Sequence, residues 1–107
     1  MTKNKAYKLA ELIIQGAIGN KEDFLSLHGM DIDELPESIG QLSQLTDLDL
    51  GGNILTSLPE SLGELTQLTE LDLSLNDLEL LPESIGQLTQ LKSLVIDAKT
   101  IMDQVSF

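Results

Sequence analysis

Leucine recurs along the middle of this chain with two interleaved periods. The shorter is two residues and gives the triplets Leu25-Ser26-Leu27, Leu48-Asp49-Leu50, Leu71-Asp72-Leu73 and Leu94-Val95-Ile96. Strict alternation of apolar and other residues predicts short strands with one buried face, so the outer residues of each triplet point inward. The longer period carries whole blocks. Leu48 opens LDLGGNILTSLPESLGEL and Leu71 opens LDLSLNDLELLPESIGQL, an offset of 23 residues. The same step towards the N-terminus gives LSLHGMDIDELPESIGQL from Leu25, and the step beyond gives LVIDAKTIMDQVSF from Leu94.

A fixed period of this size predicts stacked coils that bury a continuous core between neighbours. Parallel strands of successive coils then stack about 4.8 Å apart. Pro36, Pro59 and Pro82 each follow Leu and precede Glu-Ser. Their fixed φ and missing N–H suit the first position of a short helix or 3-10 turn. Ile39, Leu62 and Ile85, then Leu42, Leu65 and Leu88, are expected to pack back on the core. Gly40, Gly63 and Gly86 fit a tight return or close packing between coils. Asn53 and Asn76 fall where the strand turns, and an amide there can donate to and accept from turning backbone.

Both ends of such a stack need covering. Residues 1–22 are expected to form an N-terminal capping helix. Ala6, Leu9, Ala10, Ile13 and Ala17 recur at helical spacing, and Leu12 and Ile14 widen the stripe. Asn4 or Thr2 can cap its start, and Gly16 or Gly19-Asn20 its end. A capping role is favoured over a membrane-surface helix, despite Lys3, Lys5 and Lys8. Residues 23–101 make about three full coils plus a partial one, and 102–107 a short tail or cap; Ile101, Met102, Val105 and Phe107 are expected to fold over the last strand.

The shared pattern L-x-L-x-x-N-x-L-x-x-L-P-x-S-I/L-G-x-L-x-x-L resembles the leucine-rich-repeat family in its 23-residue intracellular form with a Leu-Pro step, as in bacterial multi-repeat proteins and the Ras-suppressor-like group. The resemblance implies an α/β solenoid with a short parallel sheet on the concave face and short helical or 3-10 segments on the convex face. It also implies a buried asparagine ladder. Met30 and Lys99 stand at the equivalent outer positions, so the ladder is two rungs long and the ends less regular.

Composition narrows the function. The chain has 107 residues, 41% of them hydrophobic but only 3% aromatic, so leucine and isoleucine build one modest core. There is no Cys, which rules out disulfides and thiolate chemistry. No signal-like h-region or apolar run of membrane-spanning length occurs in the sequence, which makes the cytoplasm the expected location. A cargo exported by a dedicated machine would carry the same features. The net charge is -12, and no lysine lies between Glu22 and Leu91. Such a chain repels phosphate, which disfavours nucleic acid and anionic membranes and suits a protein partner of basic or mixed charge.

The resemblance implies that partners bind the concave face, and the strand period gives the outward columns. They are Phe24, Asp47, Glu70, Ser93; then Ser26, Asp49, Asp72, Val95; then His28, Gly51, Ser74, Asp97; and, at the turn, Gly29, Gly52, Leu75, Ala98. Asp47, Asp49, Glu70 and Asp72 form a two-by-two carboxylate patch. Phe24 and Leu75 are the apolar members, with Phe24 expected to tuck under the capping helix. Calcium is disfavoured because it takes six to eight oxygens and a flat strand face offers few. His28 stands without a second His or Cys to complete a zinc site. No serine has a base held by an orienting acid, so neither catalysis nor a cofactor is expected. The alternative to a binding module is a self-assembling unit, a homodimer joined through its C-terminal edge strand.

Overall fold

The computed structural model describes residues 4–97. An α-helix, α1 (Lys5–Asn20), precedes four strands: β1 (Phe24–Ser26), β2 (Asp47–Asp49), β3 (Glu70–Asp72) and β4 (Ser93–Val95). Between them lie three 3-10 helices, η1 (Glu37–Gln41), η2 (Glu60–Glu64) and η3 (Glu83–Gln87). The strands form one parallel sheet in chain order, with Leu25, Leu48, Leu71 and Leu94 in register. The sheet forms the concave side of the solenoid and the 3-10 helices its convex side.

The leucine pattern maps directly on the core. Leu25, Leu27, Leu48, Leu50, Leu71 and Leu73 are buried from the sheet side, and Ile39, Leu42, Leu62, Leu65 and Leu88 from the convex side. The outermost rung differs from expectation. Leu94 is 38% exposed and Ile96 only half-buried. The cause is geometric: β4 is paired on its β3 side alone among the described residues, so its inward side chains are covered from one direction. Ile85 is likewise only half-buried.

Each 3-10 helix begins one residue later than the proline pattern suggests. Pro36, Pro59 and Pro82 occupy the cap position, with extended ψ and φ of -59°, -70° and -67°. Their carbonyls accept from the N–H of Ile39, Leu62 and Ile85. Proline thus sets the entry angle without removing a needed donor. Gly40 and Gly63 are the coil-to-coil contacts. A Cβ at Gly40 would lie 2.7 Å from the Ser61 carbonyl oxygen, and one at Gly63 2.6 Å from the Ser84 carbonyl oxygen. Gly86 meets nothing within 4 Å, so the close packing expected there does not occur among the described residues.

Asparagine ties the coils together. The Asn53 amide nitrogen donates to the carbonyls of Leu27 (2.9 Å), Leu50 (3.0 Å) and Gly51 (3.3 Å). Its oxygen accepts from the N–H of Met30 (2.9 Å) and Ile32 (3.1 Å) in the preceding coil. Asn76 repeats the pattern one coil on, donating to Leu50, Leu73 and Ser74 and accepting from Leu55. Met30 therefore does not loosen the first coil, because Asn53 reaches back to hold it.

The helix α1 packs against η1. Asn4 caps its start, its side chain accepting from the Tyr7 N–H at 2.8 Å. The helix runs through Gly16 and ends at Asn20, the second of the expected stop positions, with Lys21 as its left-handed C-cap (φ 53°). Its buried face is Ala10, Ile14 and Ala17, flanked by Ala6, Ile13 and Ile18. Leu9 and Leu12, expected in the stripe, are 50% and 70% exposed. Alanine at positions 10 and 17 lets the helix axis approach the first coil closely, and that approach selects the face. Lys99, Ala98 and the apolar residues Ile101, Met102, Val105 and Phe107 lie outside the described residues.

Candidate functional site

Parallel pairing in register turns the repeat into columns on the outer face of the sheet. Phe24, Asp47, Glu70 and Ser93 stand side by side, as do Ser26, Asp49, Asp72 and Val95. All of them except Ser26 line a shallow hollow of about 270 Å³, together with Leu48 and Leu71. Carboxylates occupy its two central rungs, and uncharged residues close it at each end. Phe24 does not tuck under α1. It is 57% exposed and lines the hollow, because the strand alternation that buries Leu25 turns its neighbour Phe24 to the outer face.

The four carboxylates are not equivalent. Asp49 Oδ1 accepts from the Gly51 N–H at 2.9 Å. Asp72 Oδ1 accepts from the Ser74 N–H at 2.9 Å and from its hydroxyl at 2.6 Å. Each aspartate therefore fastens the turn that ends its own strand. Asp47 and Glu70 have no such main-chain donor among the described residues. The Thr46 hydroxyl donates to Asp47 at 2.7 Å. That bond first, and then hydrogen bonding with Glu70, hold the Asp47 carboxyl below the usual aspartate value. Glu70 moves the other way: its hydrogen bond with Asp47, reinforced by the negative charge there, raises it above the usual glutamate value.

His28 lies over the backbone of the next coil. A Cβ added at Gly51 or Gly52 would come within 3.2 Å of its ring nitrogens, so both glycines make room for it. Its Nδ1 is 3.4 Å from Asp49 Oδ1. Ser26 accepts from the His28 N–H at 3.3 Å. Ser93 and Val95 on β4 are exposed.

Asp97 joins Asp49 and Asp72 in having structural work. The Asp97 carboxylate accepts from the N–H groups of Leu75 (3.0 Å) and Asn76 (3.3 Å). It fastens the turn of the preceding coil and is not free to meet a partner with both oxygens. Leu75 itself has φ 56°, in the column where the earlier coils place Gly29 (φ 66°) and Gly52 (φ 69°). It is 69% exposed. A left-handed leucine is strained by about 1–2 kcal/mol. Leu75→Gly is accordingly expected to stabilise the fold by about 1 kcal/mol, read as a higher denaturation midpoint in urea. A lower midpoint would show that the leucine side chain contributes packing that offsets the strain.

Among the described residues no group of three or more His, Asp or Glu is placed to hold a metal ion. No helix there is long and apolar enough to cross a membrane.

Comparison with known proteins agrees with this architecture. The leucine-rich repeat region family matches residues 23–106. The chain belongs to the leucine-rich-repeat family. Among solved structures it is similar to a leucine-rich-repeat protein of Leptospira interrogans, at 34% sequence identity and a TM-score of 0.47 over 78% of this chain. The chain spans 28% of the length of that protein. No curated protein matches it significantly. The leucine-rich-repeat fold generally mediates protein–protein interaction and is typically non-enzymatic.

Proposed function

We propose that this leucine-rich-repeat protein is a non-catalytic binding module that grips a basic or mixed-charge protein on the acidic concave face. The observation that carries the reading is the row of four carboxylates on two adjacent rungs, Asp47, Asp49, Glu70 and Asp72, with no basic side chain on β1, β2 or β3. Complementary charge steers encounter and fixes register, while exposed Phe24, Val95 and Leu75 offer apolar contact around it. Ser26, His28, Ser74, Ser93 and Asp97 complete the surface. The serine hydroxyls support binding rather than catalysis. The Ser74 hydroxyl donates to Asp72 as part of a turn, and His28, across Gly51, is paired with Asp49 rather than hydrogen-bonded to Ser74 as a base.

Charge reversal tests this reading best at Asp47 and Glu70, because neither accepts a main-chain N–H. Asp47→Lys combined with Glu70→Lys is expected to leave the circular dichroism and melting cooperativity intact. It should abolish capture of a small basic probe protein that binds the natural chain in a salt-sensitive way. Unchanged capture by the double variant would remove the acidic face from the mechanism.

A second reading, self-assembly through β4, is favoured by one observation. That strand presents exposed Leu94 and Val95 and pairs only with β3 among the described residues. Molar mass by light scattering over a concentration series separates the two readings: growth with concentration supports assembly, and a constant monomer mass rejects it.

A further inference from the structure

α1 carries a second apolar line on the side away from its contact with the first coil. Leu9 and Leu12 lie on it, 50% and 70% exposed. Lys5, Leu9, Leu12, Gly16 and Gly19 follow one another at steps of four, three, four and three residues, the spacing of a seam at which one helix faces another. Nothing within the chain requires glycine at the last two positions. Neither has a positive φ, and a Cβ at either would meet nothing within 4 Å. Glycine inside a helix is unfavourable next to alanine, so two of them on one exposed line point to a cause outside the packed coils. Gly40 and Gly63 show the contrast, since the next coil closes over both.

Beside Gly16 the surface dips into a hollow of about 480 Å³ between α1 and β1. Ile13, Phe24 and Leu25 are apolar members of its lining, and Glu22 is the charged one. The charges of the helix say what fits there. Lys5 and Lys8 occupy its first turn, which holds no acidic residue, and Glu22 and Asp23 follow its end, where Lys21 is the one cation. The helix dipole favours the opposite placement. An antiparallel copy of α1 corrects it, because each helix brings its lysines to the acids and the negative dipole end of the other. With Leu12 facing Gly16 and Leu9 facing Gly19, the same register sets Lys5 opposite Asp23. Leucines thus fall over glycines and cations near anions in one arrangement, whereas a parallel pair in register would set lysine against lysine.

We propose that α1 is a self-recognition surface: two copies of the chain pair through antiparallel α1 helices, each laying Leu9 and Leu12 over Gly16 and Gly19 of the other and into the hollow beside them. Such a contact is isologous, so it closes at two copies. It stands apart from both readings above, since it uses neither the carboxylates of β2 and β3 nor the β4 edge. A helix of 16 residues is about 24 Å long. One pair of that length buries less than the roughly 1,200–2,000 Å² of a stable interface, so the dimer is a weak one that forms at chain concentrations on the order of 0.1 mM.

Sedimentation equilibrium of the full chain, up to about 1 mM, tests this. The mass is expected to rise with concentration and to level at twice that of the chain. Leu12→Glu changes an exposed side chain and should leave a folded monomer. Gly16→Leu should do the same with a melting midpoint no lower than that of the natural chain, because leucine is the better helix former and fills the space that the other copy's leucine takes. Lys5→Glu with Lys8→Glu should weaken pairing about tenfold or more, and adding Glu22→Lys and Asp23→Lys should restore it. A monomer mass at every concentration overturns the proposal. So does growth that survives Leu12→Glu, which leaves the β4 edge as the contact, and so does stronger assembly of Gly16→Leu, the mark of unspecific apolar adhesion. Failure of the reversed acids to rescue overturns the antiparallel arrangement. A chain that stays monomeric but binds phosphatidylserine vesicles, and loses them in Leu12→Glu, assigns the face to a lipid surface instead.

Discussion

Asn53→Ala is expected to lower the unfolding free energy by about 3 kcal/mol or more. Asn53 is 5% exposed, and its single amide serves five backbone groups in two coils: it donates to Leu27, Leu50 and Gly51 and accepts from Met30 and Ile32. Alanine leaves those donors and acceptors facing a small cavity. Each buried group left without a partner costs about 1–3 kcal/mol. Water entering the space recovers part of that, which is why the expected total is well below the sum. A small domain has about 5–15 kcal/mol in all, so the variant loses a large share of its stability while remaining mostly folded at room temperature. Urea denaturation with matched slopes is the measurement. Asn76→Ala serves as the internal comparison, because Asn76 is only half-buried and accepts a single N–H; its loss should be smaller. A cost below about 1 kcal/mol at Asn53 would mean that the coils hold their turns without the ladder.

That ladder shows how unevenly structure is written in a repeat sequence. The inward leucines, the prolines, the asparagines and the existence of α1 are legible because each rests on a local period or a local backbone preference. The face that α1 buries is not. Apolar residues at 9, 10, 12, 13 and 14 support several overlapping stripes, and only contact with the first coil selects Ala10, Ile14 and Ala17. The role of Asp97 is invisible for a different reason. Its bonds reach Leu75 and Asn76, 22 and 21 residues away, and exist only once one coil lies on the next. Asp49 and Asp72 read as surface charge in the sequence, whereas each also closes its own turn. This gives the L-D-L motif a structural cause besides any role in binding. The strain at Leu75 did leave a sequence signal: Gly29 and Gly52 in the same column mark a left-handed position, and a leucine there is a departure that column comparison can find.

The exposed candidate face is less legible than the core, because nothing local decides which carboxylates are free. Only hydrogen bonding in the folded chain separates Asp47 and Glu70, free of main-chain donors, from Asp49 and Asp72. Charge substitutions chosen from sequence alone would fall on either pair alike, and those at Asp49 or Asp72 would disturb turns as well as charge.

Leucines at equivalent strand positions should not be energetically equivalent, because a solenoid is stabilised by its nearest-neighbour interfaces. Leu50→Ala is expected to cost about 2–5 kcal/mol. Leu50 is fully buried, between the coils that carry Leu27 and Leu73, so truncation opens a cavity shared by two interfaces. The damage then propagates in both directions along the array. Leu94→Ala, in contrast, removes a side chain already 38% exposed, on a strand paired on one described side, and should cost less than about 1 kcal/mol, as partial burial implies. Chemical denaturation of the two variants against the natural chain measures the difference. A large loss at Leu50 with a small one at Leu94 is the signature of one-dimensional stability, strongest in the middle and weakest at the edge. Equal large losses would show that β4 is covered on its far side in solution, by the segment that follows it or by a second molecule. Light scattering on the same samples tells these apart, because only the second changes the mass.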